Sequence, residues 1–492
     1  MNKSFINWKR TAHMPAAAEA GGEYILPNDL PDVKRILHVF TDLKKNGCFF
    51  DPPGMTADAE FIYTVVYTGD DGRLHSVKYT APVTARSQNG VPDDAETAEA
   101  VFSQPDTQIR LSNPRKFQIK SRAAVSFSVY GREENAPYIE GVQDVGLQCC
   151  EKNGVTYSVQ SARDDSVPFS LDVVLPDPCP EPESLVSSYA VTSTPAVSPS
   201  DGKAEICFSV EFVFLYITSD GAAASYKSTA EISHELAADG MTADSVCRGA
   251  VSINELNCAL TTDKNGEMRV IEVDMTYNAE VLYETAERGV YISDMYSTEY
   301  ESTQMYGDMT LRHALPVFAT HFTVSGSADG DFEGDVLFAT AVCDKYELAD
   351  ENSGTVISGN LDICMITNEN GELEGHTASI PFRSVLQFTM NENDEYSADI
   401  ASGVPNVRID NGTLYADAEL YVSVHGTEYE TVQTVKTMSI SDTPVAREKP
   451  SLRLYRPDPG ETEWDTAKKF RVSADDLRKA NANNNKRIYI IP

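Results

Sequence analysis

The sequence predicts a mostly β protein: three tandem β-rich units over residues 15–148, 149–300 and 301–445, then a small βααβ module at 449–492. Three observations predict it. A hairpin recurs three times, in FIYTVVYTGDDGRLHSVKYTAPV, VEFVFLYITSDGAAASYKSTAEI and GNLDICMITNENGELEGHTASIPF, with turn glycines Gly72, Gly221 and Gly371 at intervals of 149 and 150 residues. An Asp-Gly or Asn-Gly turn between apolar runs is hairpin chemistry, and a near-constant interval is the mark of a repeat. Each unit also closes on a strand pair: RKFQIKSRAAVSFSVYG, GEMRVIEVDMTYNAEVLYE and NVRIDNGTLYADAELYVSVHG. Finally, the pattern changes after the Pro-containing TPVAREKP, where a linker is expected.

Taken in chain order, the first two units open on related proline-rich segments. Leu26-Pro27 with Pro31-Asp32 matches Leu175-Pro176 with Pro180-Glu181. Such density of proline predicts an extended connector ending in one helical turn, with Asp32 in the first turn. The aromatics of the hairpins fall at period two (Phe61, Tyr63; Phe212, Phe214, Tyr216), which assigns them to strand packing. In the last module, Thr462 with Asp465 and Ser473 with Asp476 form two S/T-x-x-acid capping boxes. Trp464, Ala467 and Phe470 share one helical face and meet Leu477, a small core stitched by Trp464. Tyr455 and Tyr489 on the flanking strands are expected at the surface.

Composition narrows function. The 492 residues carry 75 acidic against 40 basic side chains, a formal charge of −35. Such a chain repels phosphate backbones and anionic lipid, so nucleic-acid and membrane-surface roles are disfavoured. Residues 449–492 run the other way, with ten basic and six acidic side chains. No window approaches the 18 or so apolar residues of a membrane span, and the N-terminal residues do not read as a secretory signal. A cytoplasmic location is expected. The nine cysteines are odd in number, irregularly spaced and without C-x-x-C, the pattern of reduced structural thiols. No phosphate-binding, dinucleotide, zincin or nucleophile-elbow motif occurs, the eight histidines are scattered singly, and acid pairs such as Asp70-Asp71 sit in turns. No catalytic residue, cofactor or metal is expected. Asp329-Gly330-Asp331-Phe332-Glu333-Gly334 copies half a calcium loop, but Thr340 stands where the bidentate Glu belongs.

The run Pro459-Gly460-Glu461-Thr462, Trp464, Ala467-Lys468-Lys469-Phe470, Leu477, Asn481 and Ile490-Ile491-Pro492 resembles a LysM module. The three units resemble SPOCS domains, with Leu26-Pro27, Leu30-Pro31-Asp32-Val33 and Arg35-Ile36-Leu37 carrying the match. Three SPOCS-like units before a LysM module are similar to the SipL-type clostridial family of endospore coat assembly. The resemblance implies a non-enzymatic scaffold in the mother-cell cytoplasm that joins a coat morphogenetic ATPase at the forespore surface. It places ligand or partner loops at Gly460, Glu461, Thr462, Asn481, Lys486 and Arg487, and a module core at Trp464, Ala467, Phe470 and Leu477. The alternative it implies is a cell-wall protein binding peptidoglycan or chitin-like polymers of N-acetylglucosamine. Glu463 and Thr466 depart from the family's apolar residues, and Lys486-Arg487 replace the glycine before its last strand.

Overall fold

The structure, a computed structural model, describes residues 4–87, 89–141, 146–343, 345–351, 354–445, 453–482 and 488–492. It is mostly β, with two short helices near the C-terminus. The first pair of sheets uses β1 (Phe5–Ile25), β2 (Val33–Asp51), β3 (Gly54–Gly69), β4 (Leu74–Arg86), β5 (Ala95–Phe102), β6 (Asp106–Asn113) and β7 (Lys116–Asn135). One sheet runs β1-β7-β5 with β6 also on β7, the other β2-β3-β4. They close over Phe61, Tyr63, Phe117 and Phe127. After β8 (Tyr138–Gly141) the second pair uses β9 (Leu147–Val174), β10 (Pro182–Thr192), β11 (Ala196–Ser200), β12 (Lys203–Thr218), β13 (Ala223–Ala237), β14 (Val246–Thr261) and β15 (Val270–Ser297). Sheet β14-β15-β9 faces β10-β12-β11, with β13 on β12, around Phe208, Phe212, Phe214 and Tyr277. The third uses β16 (Tyr300–Asp329), β17 (Asp335–Val342), β18 (Tyr346–Glu351), β19 (Gly354–Glu369), β20 (Glu372–Val385), β21 (Glu395–Ser402), β22 (Asn406–Asp410) and β23 (Thr413–Pro444). Its sheets, β16-β23-β21 and β17-β19-β18 with β20 on β19, enclose Ile363, Met365, Leu420 and Val422.

Gly72, Gly221 and Gly371 sit in the turns β3–β4, β12–β13 and β19–β20 with φ of 77°, 84° and 91°, which favours residues without a Cβ. Each strand leading into these turns has a run near its end that is buried on both faces. One face fills the local sandwich. The other meets the neighbouring units: Val66, Leu215 and Ile366 occupy matching positions, opposite His38, Ser187 and Phe338, and join Leu37, Phe40, Leu74, Val213, Ile217 and Phe338 in one cluster. Contacts of β4 with β10, β13 with β17 and β20 with β2 run head to tail and close a ring.

The long antiparallel strand pairs β1–β7, β9–β15 and β16–β23 extend past their sandwiches and pack on one another. Arg312 of β16 is 4% exposed, is ion-paired with Glu284 of β15, and lies 5.2 Å from the ring centroid of Tyr130 on β7. One side chain thus ties three units together.

No helical turn follows Leu26-Pro27. The chain turns at 27–30 and enters β2 at Val33. Arg115 captures the turn, donating to Pro27 O (2.7 Å), Leu30 O (3.2 Å) and Asp32 Oδ1 (2.6 Å), and Arg269 does the same at Pro176 O and Cys179 O. With those carbonyls taken, and with Leu37 and Phe40 required at the inter-unit cluster, extended backbone wins. Thr443 and Pro444 of the expected linker belong to β23, with Pro444 opposite Tyr300, and residues 446–452 lie outside the described residues.

The last segment pairs β24 (Arg453–Tyr455) antiparallel with β25 (Tyr489–Ile491) around α1 (Glu463–Phe470) and α2 (Ala474–Ala480). Thr462 and Asp465 form a reciprocal capping box, while Ser473 accepts from Asp476 N–H.

Candidate docking module and central chamber

The C-terminal module is seated on β15. Ala467 and Leu477 are fully buried, and Tyr296 of β15 completes their cluster with Tyr489 and Ile491. Trp464, expected to stitch the module's own core, packs on that cluster and also stands at the junction with β15. Its ring meets Tyr296 edge-on with centroids 5.0 Å apart, and its Nε1–H donates to Asp294 Oδ2 at 2.7 Å. Lys468 donates to both Asp294 oxygens (2.7 and 2.8 Å), and Tyr306 Oη–H to Oδ1 (2.6 Å). Tyr296 Oη–H donates to Val472 O at 2.7 Å, and Arg471 donates to Ser297 O and Ser302 Oγ. Partial burial pushes the Asp294 carboxyl up, but the bonds from Lys468, Trp464 and Tyr306 outweigh it and hold the carboxyl below its ordinary range.

The expected loop residues are largely spent on the module itself. Glu461 accepts from Tyr455 Oη–H (2.6 Å), Asp458 N–H (3.0 Å) and Thr466 Oγ1–H (3.1 Å). That last bond explains how a fully buried threonine stands at a position the resemblance makes apolar. Thr462 is the α1 cap. Asn481, in the turn after α2, is buried, donating to Leu477 O and Ile490 O and accepting from Ile490 N–H, so its side chain ties that turn to β25. Phe470 packs edge-on against Tyr455. Tyr489, expected at the surface, is 4% exposed, and Tyr455 is half-buried beside it across the ladder. Gly460 lies in the exposed turn before α1. Lys486 and Arg487 lie outside the described residues. The outward face of β24–β25 carries Leu454 opposite Ile490, both exposed.

The second feature was not anticipated from the sequence. A chamber of about 1680 Å³ lies among the three units, below the inter-unit cluster. Phe40 and Tyr189 line it, and Phe338 backs both at centroid distances of 5.1 and 6.3 Å. Arg248 of β14 is ion-paired with Glu99 of β5 in its wall, and Asp399 of β21 is paired with His425 at 2.7 Å. Surrounding protein pushes the Asp42 carboxyl up to about 6, against the pull of Lys78, although the residue keeps an exposed face, and burial pushes the His38 imidazole down to about 4. The 149-residue interval from Phe40 to Tyr189 repeats the spacing of the turn glycines, and was the one available signal.

Other expected features are structurally plain. Asp329 ends β16 and accepts from Thr413 Oγ1–H, and no group of three or more His, Cys, Asp or Glu among the described residues is arranged to hold a metal. His75 pairs with Asp71 and His376 with Glu374. Of the cysteines, Cys247 is buried and Cys207 exposed. No described helix is long and apolar enough to cross a membrane.

No family model matches the chain, and no curated protein matches it. Among solved structures, the crystal structure of the ferric yersiniabactin uptake receptor FyuA from Yersinia pestis aligns over 87% of this chain and 81% of that one, at 9% identity and a TM-score of 0.11. A likeness that weak carries no argument about fold or function.

Proposed function

We propose that the protein is a non-enzymatic scaffold of endospore coat assembly, joining a coat morphogenetic ATPase at the forespore surface from the mother-cell cytoplasm. The SPOCS-like opening of the first unit and the LysM-like run at 459–492 support this reading. The observation that carries it is the seating of the C-terminal module. Its Trp464–Lys468 face is consumed by β15, which leaves the Gly460 turn and the β24–β25 sheet turned outward from an acidic body. A module held in one orientation beside three further units presents several surfaces at once, and linked sites raise each other's effective concentration.

The test uses the full-length chain with immobilised ATPase and with chitin oligomers, at low and high salt. The variant reverses Lys486 and Arg487 to Glu. Association with the ATPase is expected to slow in the variant and to lose part of its salt dependence, as charge-steered docking does. Salt-insensitive chitin binding without ATPase binding would replace this reading with wall attachment.

A further inference from the structure

We infer that the niche between the first and second units, walled by Trp8, is a binding site for a neutral pyranose sugar, held by hydrogen bonds from the Trp8 indole, the Glu96–Arg132 pair and the Gln160 amide. Trp8 of β1 is 7% exposed, yet its Nε1–H has no acceptor among the described residues. A buried donor left unpaired is rare and costly, and an oxygen brought by a ligand relieves that cost. The repeat does not demand this donor. Trp8 lies opposite Arg132 of β7. At the interval of 149 residues that separates Leu26-Pro27 from Leu175-Pro176, Tyr157 of β9 lies opposite Ala286 of β15. The second unit thus keeps an aromatic ring at this position with neither the indole N–H nor the guanidinium.

The niche has a volume of about 610 Å³, inside the roughly 300–1,000 Å³ of ordinary small-molecule sites, and lies where two units meet, as such sites often do. Its wall carries donors and acceptors together. Arg132 Nε–H and Nη2–H both donate to one Glu96 oxygen, at 3.0 and 2.7 Å, which leaves the Nη1 hydrogens and the second carboxylate oxygen for a ligand. The guanidinium carbon sits 5.7 Å from the Trp8 ring centroid, and the side chain is 48% exposed. Arg132 is therefore the part of the wall that shifts when a hydroxyl reaches the indole. On the opposite side, the Tyr283 Oη–H is shared by Asp239 O (2.6 Å) and Gln160 Oε1 (2.9 Å), which holds the Gln160 amide in place. An anion in this niche would face the Glu96 and Asp239 carboxylates, and a cation would bring no acceptor for the indole. An apolar ligand would leave every one of these groups unanswered. A sugar hydroxyl donates and accepts at once, and two adjacent hydroxyls match a carboxylate oxygen beside a guanidinium edge.

The chain has two tryptophans, so the full-length protein labelled with nitrogen-15 at the indole gives two N–H resonances, which Trp8→Phe assigns. If that variant does not fold, Trp464→Phe assigns them instead. The labelled protein is titrated with glucose, galactose and N-acetylglucosamine as single sugars. Controls are glycerol, too small to span from the indole to the Glu96–Arg132 pair, and sodium acetate, an anion. At least one sugar is expected to move the Trp8 resonance saturably, while Trp464, bonded to Asp294, stays in place and neither control has an effect. Glu96→Ala and Gln160→Ala change exposed side chains, and each should weaken the affinity about tenfold or more. Absence of saturable movement with all three sugars overturns the proposal. So does equal affinity in both variants, or acetate moving the resonance as the sugars do. Movement of Trp464 alone would put sugar binding in the C-terminal module and overturn the niche.

Discussion

Asp42 and His38 lie on the same strand, face the same inter-unit space, and shift with opposite consequences for stability. Burial raises the Asp42 carboxyl to about 6 from an ordinary 3.8, so the folded chain holds an extra proton between those values. Its contribution is greatest below about 3.8 and is lost as pH rises to about 6. Burial lowers His38 to about 4 from 6.5, so here the unfolded chain holds the extra proton, and stability rises with pH across about 4 to 6.5. In the wild type the two slopes oppose each other. Asp42→Asn removes one of them. The difference in melting temperature between variant and wild type should therefore be near zero at pH 4, grow to about pH 6, and stay constant above. Because Asp42 faces a chamber and keeps some hydration, the plateau should be small, about 1–3 °C. Lys78 and Tyr189 face the same carboxyl and remain in both proteins, so they cancel in the difference. A difference that shrinks with rising pH would show that Asp42 is not desolvated.

Among the elements, the long strand pairs are held together by space left empty as well as by side chains. Gly154 of β9 and Gly289 of β15 are cross-strand partners, and the Phe5 ring rests on both. A Cβ at Gly289 would stand 2.7 Å from Phe5, and one at Gly154 3.0 Å. Neither glycine takes a left-handed φ, so the requirement is clearance rather than backbone freedom. Phe5 is 1% exposed, packed with Tyr291, Met309, Leu311 and Val432, and has nowhere to move. Gly289→Val should destabilise the chain by about 1–3 kcal/mol, the usual cost of overpacking. In a Phe5→Ala background the same change should cost much less, a coupling that a double-mutant cycle in denaturant measures. Equal cost in both backgrounds would refute the seat.

At the scale of the molecule, three head-to-tail contacts close into a ring around Phe40, Tyr189 and Phe338. A shared core makes the units depend on each other, unlike beads joined by linkers. Phe338→Ala leaves a cavity at the inter-unit cluster and should cost about 3–5 kcal/mol. Hydrogen exchange should rise at β2 and β10 as well as at β17, since all three strands touch that ring. Protection lost in the third unit alone would mean that the units are energetically separate.

The mostly β class was legible because hairpin chemistry is local: an Asp-Gly or Asn-Gly turn between apolar runs constrains its own neighbours, and the α1 cap at Thr462 and Asp465 is equally short-range. The doubly buried ends of β3, β12 and β19 were visible as continuous apolar runs, although what they meet was not. Local propensity misled where a distant group intervened. Arg115, some eighty residues on from Leu30, takes the turn carbonyls and leaves β2 extended. Trp464 packs on the core that its spacing predicts, and what the spacing did not show is that Asp294 and Tyr296, about 170 residues away, also make it an anchor between module and body. Asn481 stands in the turn after α2, and its three bonds to α2 and β25 depend on Ile490, nine residues on. The chamber is the extreme case. Phe40, Asp42, Tyr189 and Asp362 are unremarkable on their own strands, and only ring closure brings them to one space. Short-range patterning determined the sequential hairpins β3–β4, β12–β13 and β19–β20, whereas the segments expected as closing strand pairs of the first two units are the single strands β7 and β15, paired with β1 and β9 across about ninety residues or more. The tertiary structure decided which of their second faces are buried, because that depends on contacts between residues that the chain order keeps hundreds of positions apart.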